Sequence, residues 1–152
     1  MPTHYPGSPE QIKALNAYIR LTRAVESLSA RLLSAEKLEG LTTSQLGVLD
    51  ALHYLGPMAQ KDLAGKILKS TGNLSLVIDN LEKRGLVRRE RGQRDRRFVT
   101  IHLTETGRSL IERVMPRHVA DITALMSALT PEEQQTLGEL SKKLGLSLKP
   151  LD

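Results

Sequence analysis

The chain has 152 residues, of which 39% are apolar and 26% charged, a composition typical of a globular protein with one core. It contains no cysteine, which excludes disulfide scaffolds, thiolate zinc sites and cysteine-based redox sensing. One Phe, three Tyr and no Trp are too few rings for the stacking platforms of single-strand or RNA binders. No segment has the apolar length of a signal peptide or a membrane span, so we expect a soluble cytoplasmic protein.

The net charge of +5 is concentrated in one short segment. Residues 84–97 contain seven arginines against Glu90 and Asp95, which accounts for the whole excess and leaves the rest of the chain neutral. A basic patch on a neutral body is typical of a protein that binds a polyanion such as nucleic acid.

A long amphipathic helix is predicted within the first forty residues, ending near Lys37 and Gly40. Its apolar residues recur at spacings of three and four and form one stripe: Tyr18, Leu21, Val25, Leu28, Leu32 and Ala35.

Two short helices follow. Thr42 and Gln45 have the spacing of a capping box, which predicts a helix start, and Gly56-Pro57 ends this helix. The range Gln60–Leu68 is predicted to form the second short helix, with three apolar residues facing inward: Leu63, Ile67 and Leu68.

A third helix is predicted from Ser70-Thr71 to about Arg84, with Gly85 as its C-terminal cap. Its buried stripe consists of Leu74, Val77, Ile78 and Leu81. The first turn carries short polar side chains instead, which suit a helix that approaches base edges and phosphates in a major groove. The candidate DNA-binding residues of this helix are Ser70, Thr71, Gly72, Asn73 and Ser75.

After Gly85 the apolar period changes from helical to alternating, which predicts two strands over 86–89 and 98–103. A polar, arginine-rich tip over 91–96 joins them and can reach a neighbouring minor groove, where negative potential attracts arginine. We expect Asp95 to pair with an adjacent arginine and to hold the tip in shape. The candidate DNA-binding residues of this hairpin are Arg91, Arg94, Asp95, Arg96 and Arg97.

The last third of the chain is predicted to form two helices. Thr104 caps the first, and Pro116 in its middle predicts a kink. Thr130-Pro131-Glu132-Glu133 starts the second, which ends near Gly145. Their apolar stripes, together with the stripe of the first helix, are too long for one small unit to cover and predict a dimer interface: Ile111, Met115, His118, Ile122, Leu125, Leu129, then Leu137, Leu140 and Leu144.

Together these elements predict a mainly α fold with a small β-hairpin wing. We expect a winged helix-turn-helix DNA-binding domain over 41–103 and helical dimerisation regions over 8–38 and 104–148. The predicted protein is a homodimeric regulator that binds double-stranded DNA at a pseudo-palindrome. Two alternatives remain, a winged-helix module for protein interaction or dimerisation and an activator without a ligand. No phosphate-binding loop, metal-ligand spacing or nucleophile–base pair indicates an enzyme.

The segments NLEKRGLVRR (80–89) and DRRFVTIHLTETG (95–107) resemble the MarR family of bacterial regulators, and the flanking helices fit as well. The resemblance implies an obligate homodimer with interlocking end helices, in which Asp95 and Arg97 match the wing motif and Arg97 is the minor-groove residue. A ligand that shifts the angle between the DNA-binding units and the dimerisation helices would move the two recognition helices out of register, so we expect repression relieved by a small molecule. The TGN opening of the third helix and the run DNLEKRGLV (79–87) are most similar to a branch that responds to quinones and related electrophiles.

The effector is expected to be a phenolic or quinone-like molecule bound without a cofactor. The absence of cysteine excludes the cysteine mechanism of the family's peroxide sensors. The four histidines are too dispersed to predict a metal site, and His118 is expected at an interface. The candidate effector-binding residues are Tyr18, His53 and Tyr54, the last two at the end of the first short helix, where they are expected to face the crevice between the DNA-binding and dimerisation parts.

Overall fold

The computed structural model describes residues 3–67 and 71–148, with the side chains of residues 71 and 72 outside that description. The elements confirm a mainly helical fold with a small antiparallel sheet. In chain order they are α1 (Pro9–Leu32), α2 (Thr43–Leu55), β1 (Met58–Ala59), α3 (Gln60–Ile67), α4 (Thr71–Lys83), β2 (Val87–Arg91), β3 (Val99–Leu103), α5 (Glu105–Met126) and α6 (Pro131–Ser147).

Helix α1 is shorter than the sequence predicted. It ends at Leu32 because Leu33 leaves the helical conformation, so that Ala35 lies beyond the helical stripe. The chain then makes a turn in which the Gly40 N–H donates to the Ala35 carbonyl at 2.8 Å. This turn carries Leu38, which is 1% exposed, into the core.

The sheet has a third strand that the sequence did not predict. β1 pairs antiparallel with β3, with Met58 opposite Ile101, and β3 lies between β1 and β2. A strand of two residues is too short to show an alternating pattern, which is why the prediction missed it. β2 begins one residue later than predicted and extends to Arg91, so the tip of the hairpin spans 92–98 and not 91–96.

One continuous core lies between the short helices, the sheet and the first half of α5. Leu63, Leu74, Ile101 and Ile111 are completely buried in it, and each comes from a different element. The predicted stripe of α4 is confirmed, with Val77 at its partly buried edge. Leu68, predicted to face inward from α3, lies outside the described residues.

Predicted caps define several helix starts. Thr42 and Gln45 make both hydrogen bonds of the capping box of α2, and Thr130 and Glu133 do the same for α6. Thr104 caps α5, which runs continuously through Pro116, and the kink there stays a prediction. α6 continues two residues past the predicted end at Gly145.

The end helices leave their apolar stripes uncovered in the single chain. Neither α1 nor α6 contains a buried residue. His118, on the C-terminal half of α5, is half-buried. Exposed large apolar residues on these two helices are Tyr18, Leu21, Val25, Leu137, Leu140, Leu144 and Leu146.

Candidate nucleic-acid interface

Helix α4 is held in the molecule by one face and presents the other to solvent. Leu74, Ile78 and Leu81 are completely buried. The helix ends in a double hydrogen bond in which the Leu86 N–H donates to the Leu81 carbonyl and the Gly85 N–H to the Glu82 carbonyl. Gly85 has φ of +71°, the left-handed conformation that this cap requires.

The predicted DNA-binding residues of this helix differ in how far the structure describes and exposes them. Ser70 lies outside the described residues, whereas Thr71 and Gly72 are the first two residues of α4. Asn73 is exposed, and Ser75 is half-buried, with its carbonyl accepting a hydrogen bond from Arg89. Asn73 is therefore the first residue of α4 whose side chain the structure describes.

The sequence prediction missed Leu76 on the same face. Its side chain is 62% exposed, although it belongs to a helix whose other leucines are completely buried. Steps of three and four residues place Leu76 between Asn73 and Asn80, both exposed. The sequence could have indicated its exposure, because Leu76 does not fit the three- and four-residue spacing of the buried stripe.

Arg89 joins the hairpin to the candidate recognition helix. Its guanidinium lies 2.6 Å from the Asp79 carboxylate and 3.1 Å from that of Glu82. It also donates to Gln60 at the start of α3 and to the Ser75 carbonyl. With its side chain only 21% exposed, Arg89 is a structural link between these elements, not part of the free basic surface.

Two more arginines of the basic segment have partners within the protein. Arg84 donates to the carbonyls of Glu39 and Gly40 in the turn after α1. Arg88 pairs with Glu90 across 3.1 Å. Arg84 and Arg89 therefore contact distant parts of the fold, whereas Arg88 stays exposed beside Glu90 and the arginines of the hairpin tip extend the same basic surface.

The hairpin tip has a defined shape. Gly92 donates to the Phe98 carbonyl, and an added Cβ at Gly92 would overlap the backbone oxygen of Asp95, so a side chain does not fit there. Asp95 accepts from the backbone N–H of Arg97 at 3.0 Å and from its guanidinium at 3.2 Å. The guanidinium and the backbone N–H of Arg97 lower the pKa of Asp95. The predicted pairing of Asp95 with an adjacent arginine is confirmed.

The arginines of the tip point into solvent. The Arg97 side chain is 92% exposed in spite of its contact with Asp95. Arg91, the last residue of β2, donates to the Arg96 carbonyl at 3.3 Å. The side chains of Arg94 and Arg96 make no hydrogen bond or ion pair with any residue in 3–67 or 71–148. This tip is the most accessible positive surface of the hairpin.

A cleft lies beside the contact between α2 and α5 on another side of the molecule. It has a volume of about 360 Å³ and is lined by His53, Tyr54, Ile111, Glu112, Met115, Pro116 and Val119. The two rings meet edge to face at 5.1 Å, and His53 Nδ1 is buried without a hydrogen-bond partner among the described residues. His53 and Tyr54 thus face the expected crevice. Tyr18 is exposed on α1 and does not line this cleft, so the predicted group of three is not assembled within one chain.

Comparison with known proteins identifies the family. Residues 41–99 match the MarR family, a range that includes α2, α3, α4 and the hairpin as far as Val99. YkoM of Bacillus subtilis, described as an uncharacterized HTH-type transcriptional regulator, is 34% identical over 134 residues, which cover 88% of this chain and 87% of the relative. The chain belongs to the MarR family.

Solved MarR-type structures share the fold. The Staphylococcus aureus MepR–DNA complex aligns with a TM-score of 0.75 at 26% identity, covering 86% of this chain and 98% of that one. Bordetella bronchiseptica BpsR, whose DNA binding is regulated by 6-hydroxynicotinic acid, aligns with a TM-score of 0.74 at 26% identity, covering 85% and 98%.

Membership of the MarR family makes this chain a DNA-binding transcriptional regulator and not an enzyme. Within residues 3–67 and 71–148, no group of three or more acidic or histidine side chains is placed to hold a metal ion. The described helices also include none that is both long and apolar enough to cross a bilayer.

Proposed function

We propose that this protein is a homodimeric repressor that binds a pseudo-palindromic site in double-stranded DNA and is released by a small phenolic or quinone-like effector. The observation that carries the proposal is the arrangement of α4, which buries one face in the core and presents a mostly polar face beside an arginine-rich hairpin. Because its target is chromosomal DNA, we place the protein in the cytoplasm.

Two surfaces divide the contact with DNA. The start of α4 enters the major groove, where short polar side chains meet base edges: Ser70, Thr71, Gly72, Asn73 and Ser75. The hairpin tip reaches the adjacent minor groove or its phosphates: Arg91, Arg94, Arg96 and Arg97, with Asp95 orienting Arg97. The 92% exposure of the Arg97 side chain supports its role as the residue that enters the groove.

The uncovered end helices support a dimer. α1 and α6 contain no buried residue, and several of their large apolar side chains are exposed in the single chain. Pairing the regions 8–38 and 104–148 with those of a second copy covers these stripes and leaves the DNA-binding domain, 41–103, on the outside of each protomer. A twofold dimer then sets two α4 helices about one DNA turn apart, which requires a pseudo-palindrome.

The cleft between α2 and α5 is the proposed effector site. Its volume suits one aromatic ring, Met115 and Pro116 supply apolar walls, and the rings of His53 and Tyr54 line it with polar atoms that could orient a phenolic hydroxyl. α2 belongs to the DNA-binding domain and α5 to the dimerisation region. A ligand that favours one angle between them changes the distance between the two α4 helices and weakens specific binding, which relieves repression.

Selection of bound fragments from a random DNA pool, followed by a single-base scan of the selected site, tests the DNA-binding part. We expect Arg97→Ala to weaken binding strongly and Asn73→Ala to change the sequence preference more than the general affinity. Arg88→Ala removes the same charge from an arginine already paired with Glu90 and is the matched control. Affinity should also fall steeply with salt. A dimer that selects no DNA would refute the proposal and would fit an interaction module instead.

The dimer and effector parts need their own measurements. Leu140→Glu places a charge in the proposed interface and should shift the protein from dimer to monomer in sedimentation velocity. For the cleft, a panel of phenols and quinones should release wild-type protein from the selected DNA, and Tyr54→Phe and His53→Ala should reduce that response. If both variants respond to every compound as the wild type does, the cleft is not the effector site.

A further inference from the structure

Leu76 is the one large apolar residue exposed on α4 within the described part of the chain. Its side chain does not belong to the core of the single chain. Most of the other exposed large apolar side chains lie on α1, α5 and α6 or close to the chain ends. A second copy that covers those helices does not account for Leu76, because Leu76 belongs to the DNA-binding domain.

The position of Leu76 on the helix is defined by its neighbours. Leu74 and Ile78, two residues away on either side, are completely buried, so Leu76 points away from the core. Asn73 and Asn80, at three and four residues, are exposed on the same face. The outer face of α4 therefore presents an apolar side chain between two amides, a combination of a methyl-binding group and hydrogen-bonding groups.

We propose that Leu76 reads thymine in the operator by packing against the C5-methyl group in the major groove. The edges of the bases in that groove present hydrogen-bond donors and acceptors, and the thymine methyl is the apolar group among them. The positive hairpin tip directs this face to DNA and not to another apolar surface. This inference rests on the proposed function and names the base that Leu76 recognises.

Replacement of single thymines by deoxyuridine tests the contact directly, because it removes the methyl group and keeps the Watson–Crick pairing. The measurement is the dissociation constant of the wild-type protein for the selected operator, with each thymine pair of the two half-sites replaced in turn. We expect one symmetric position at which the loss of the methyl weakens binding about fourfold per half-site, the value for one buried methyl group.

The Leu76→Ala variant identifies the side chain responsible. It should bind the thymine operator more weakly than the wild type and should no longer distinguish thymine from deoxyuridine at that position. Because Leu76 is exposed, the variant should keep the wild-type melting temperature. Leu55→Ala, which removes an exposed leucine from α2, is the matched control and should keep the wild-type response to deoxyuridine.

The outcomes separate this inference from the function on which it rests. If the wild-type protein binds the selected operator but Leu76→Ala keeps the full response to deoxyuridine, the thymine contact is refuted while the regulator remains. The thymine contact is also refuted if deoxyuridine weakens binding at none of the thymine positions, or if Leu76→Ala binds the operator as tightly as the wild type does. If the wild-type protein binds all DNA sequences equally, the proposed function itself fails.

Discussion

Replacing Gly107 with alanine should destabilise the protein although it replaces a poor helix former with the best one. Gly107 lies in the first turn of α5, and its N–H donates to the Thr104 hydroxyl at 3.1 Å. A Cβ at this position would overlap the backbone oxygen of Leu86 and would lie 2.8 Å from Leu103 Cδ1. Because the nearest obstacle is backbone, it cannot move away by rotating a side chain.

The expected loss of folding free energy follows from the movement of Leu86 that the added methyl group requires. Moving Leu86 away from α5 lengthens the hydrogen bond from the Thr104 N–H to the Leu86 carbonyl, now 3.1 Å, which is worth about 1 kcal/mol. Overpacking of a buried site costs about 1–3 kcal/mol, and the gain in helix propensity returns about 1 kcal/mol. We therefore expect a net loss of about 2 kcal/mol, which lowers the melting temperature by about 6 °C for a chain of this size.

Differential scanning calorimetry at one fixed protein concentration measures this effect, since the melting temperature of a dimer depends on concentration. Gly65→Ala in α3 is the matched control, because an added Cβ there meets no atom of the described residues within 4 Å. The control should melt at the wild-type temperature or above it. A Gly107→Ala protein that also melts at or above the wild-type temperature would show that the contact between α5 and Leu86 is loose and would refute the reasoning.

Three further changes have effects that follow from single contacts. Arg89→Ala should lower the free energy of unfolding in urea by about 1 kcal/mol, because the half-buried Arg89 loses its hydrogen bonds to Glu82 and the Ser75 carbonyl, and should also weaken DNA binding by loosening α4 from the hairpin. The Arg113 guanidinium lowers the pKa of Glu39 below its usual 4.5. The pair therefore stabilises the fold above pH 4.5 and loses this effect as the pH falls through the lowered pKa. Arg113→Gln should flatten that part of a profile of stability against pH. Thr130→Ala removes the N-cap of α6 and should cost about 1 kcal/mol in thermal unfolding.

Each of these changes has a matched comparison. Arg88→Ala removes an exposed arginine of the same strand and should change stability little, so an equal loss in both variants would deny Arg89 its linking role. Thr136→Ala removes a threonine from the interior of α6 and should not destabilise it, which separates the cap from helix composition. An identical acid profile in the wild type and Arg113→Gln would mean that the Glu39 pair contributes nothing.

Some residues of the candidate site were predictable from the sequence and others were not. Asp95 and Arg97 are two residues apart, so their pairing was predictable, whereas Leu76 was missed because only its position off the buried stripe marks it. Tyr18 was predicted to bind the effector together with His53 and Tyr54, and within one chain it lies on α1 outside the cleft that those two residues line.

By itself, the sequence determined the features that depend on neighbours three or four residues apart. The capping boxes of α2 and α6, the cap of α5 and the buried stripe of α4 all involve contacts within one or two helical turns, which periodicity and spacing record directly. The family motif in the hairpin is local as well.

Only the tertiary structure decided which arginines have partners in distant parts of the chain. Arg84 contacts residues 44 and 45 positions earlier, and Arg89 reaches Gln60 at a distance of 29 positions, so no local pattern could reveal that these charges are used within the fold. The strand β1, the early end of α1 and the cleft between α2 and α5 also depend on segments distant in the chain. Burial and ion pairing are settled by which segments meet in space, and a linear charge count does not contain that information.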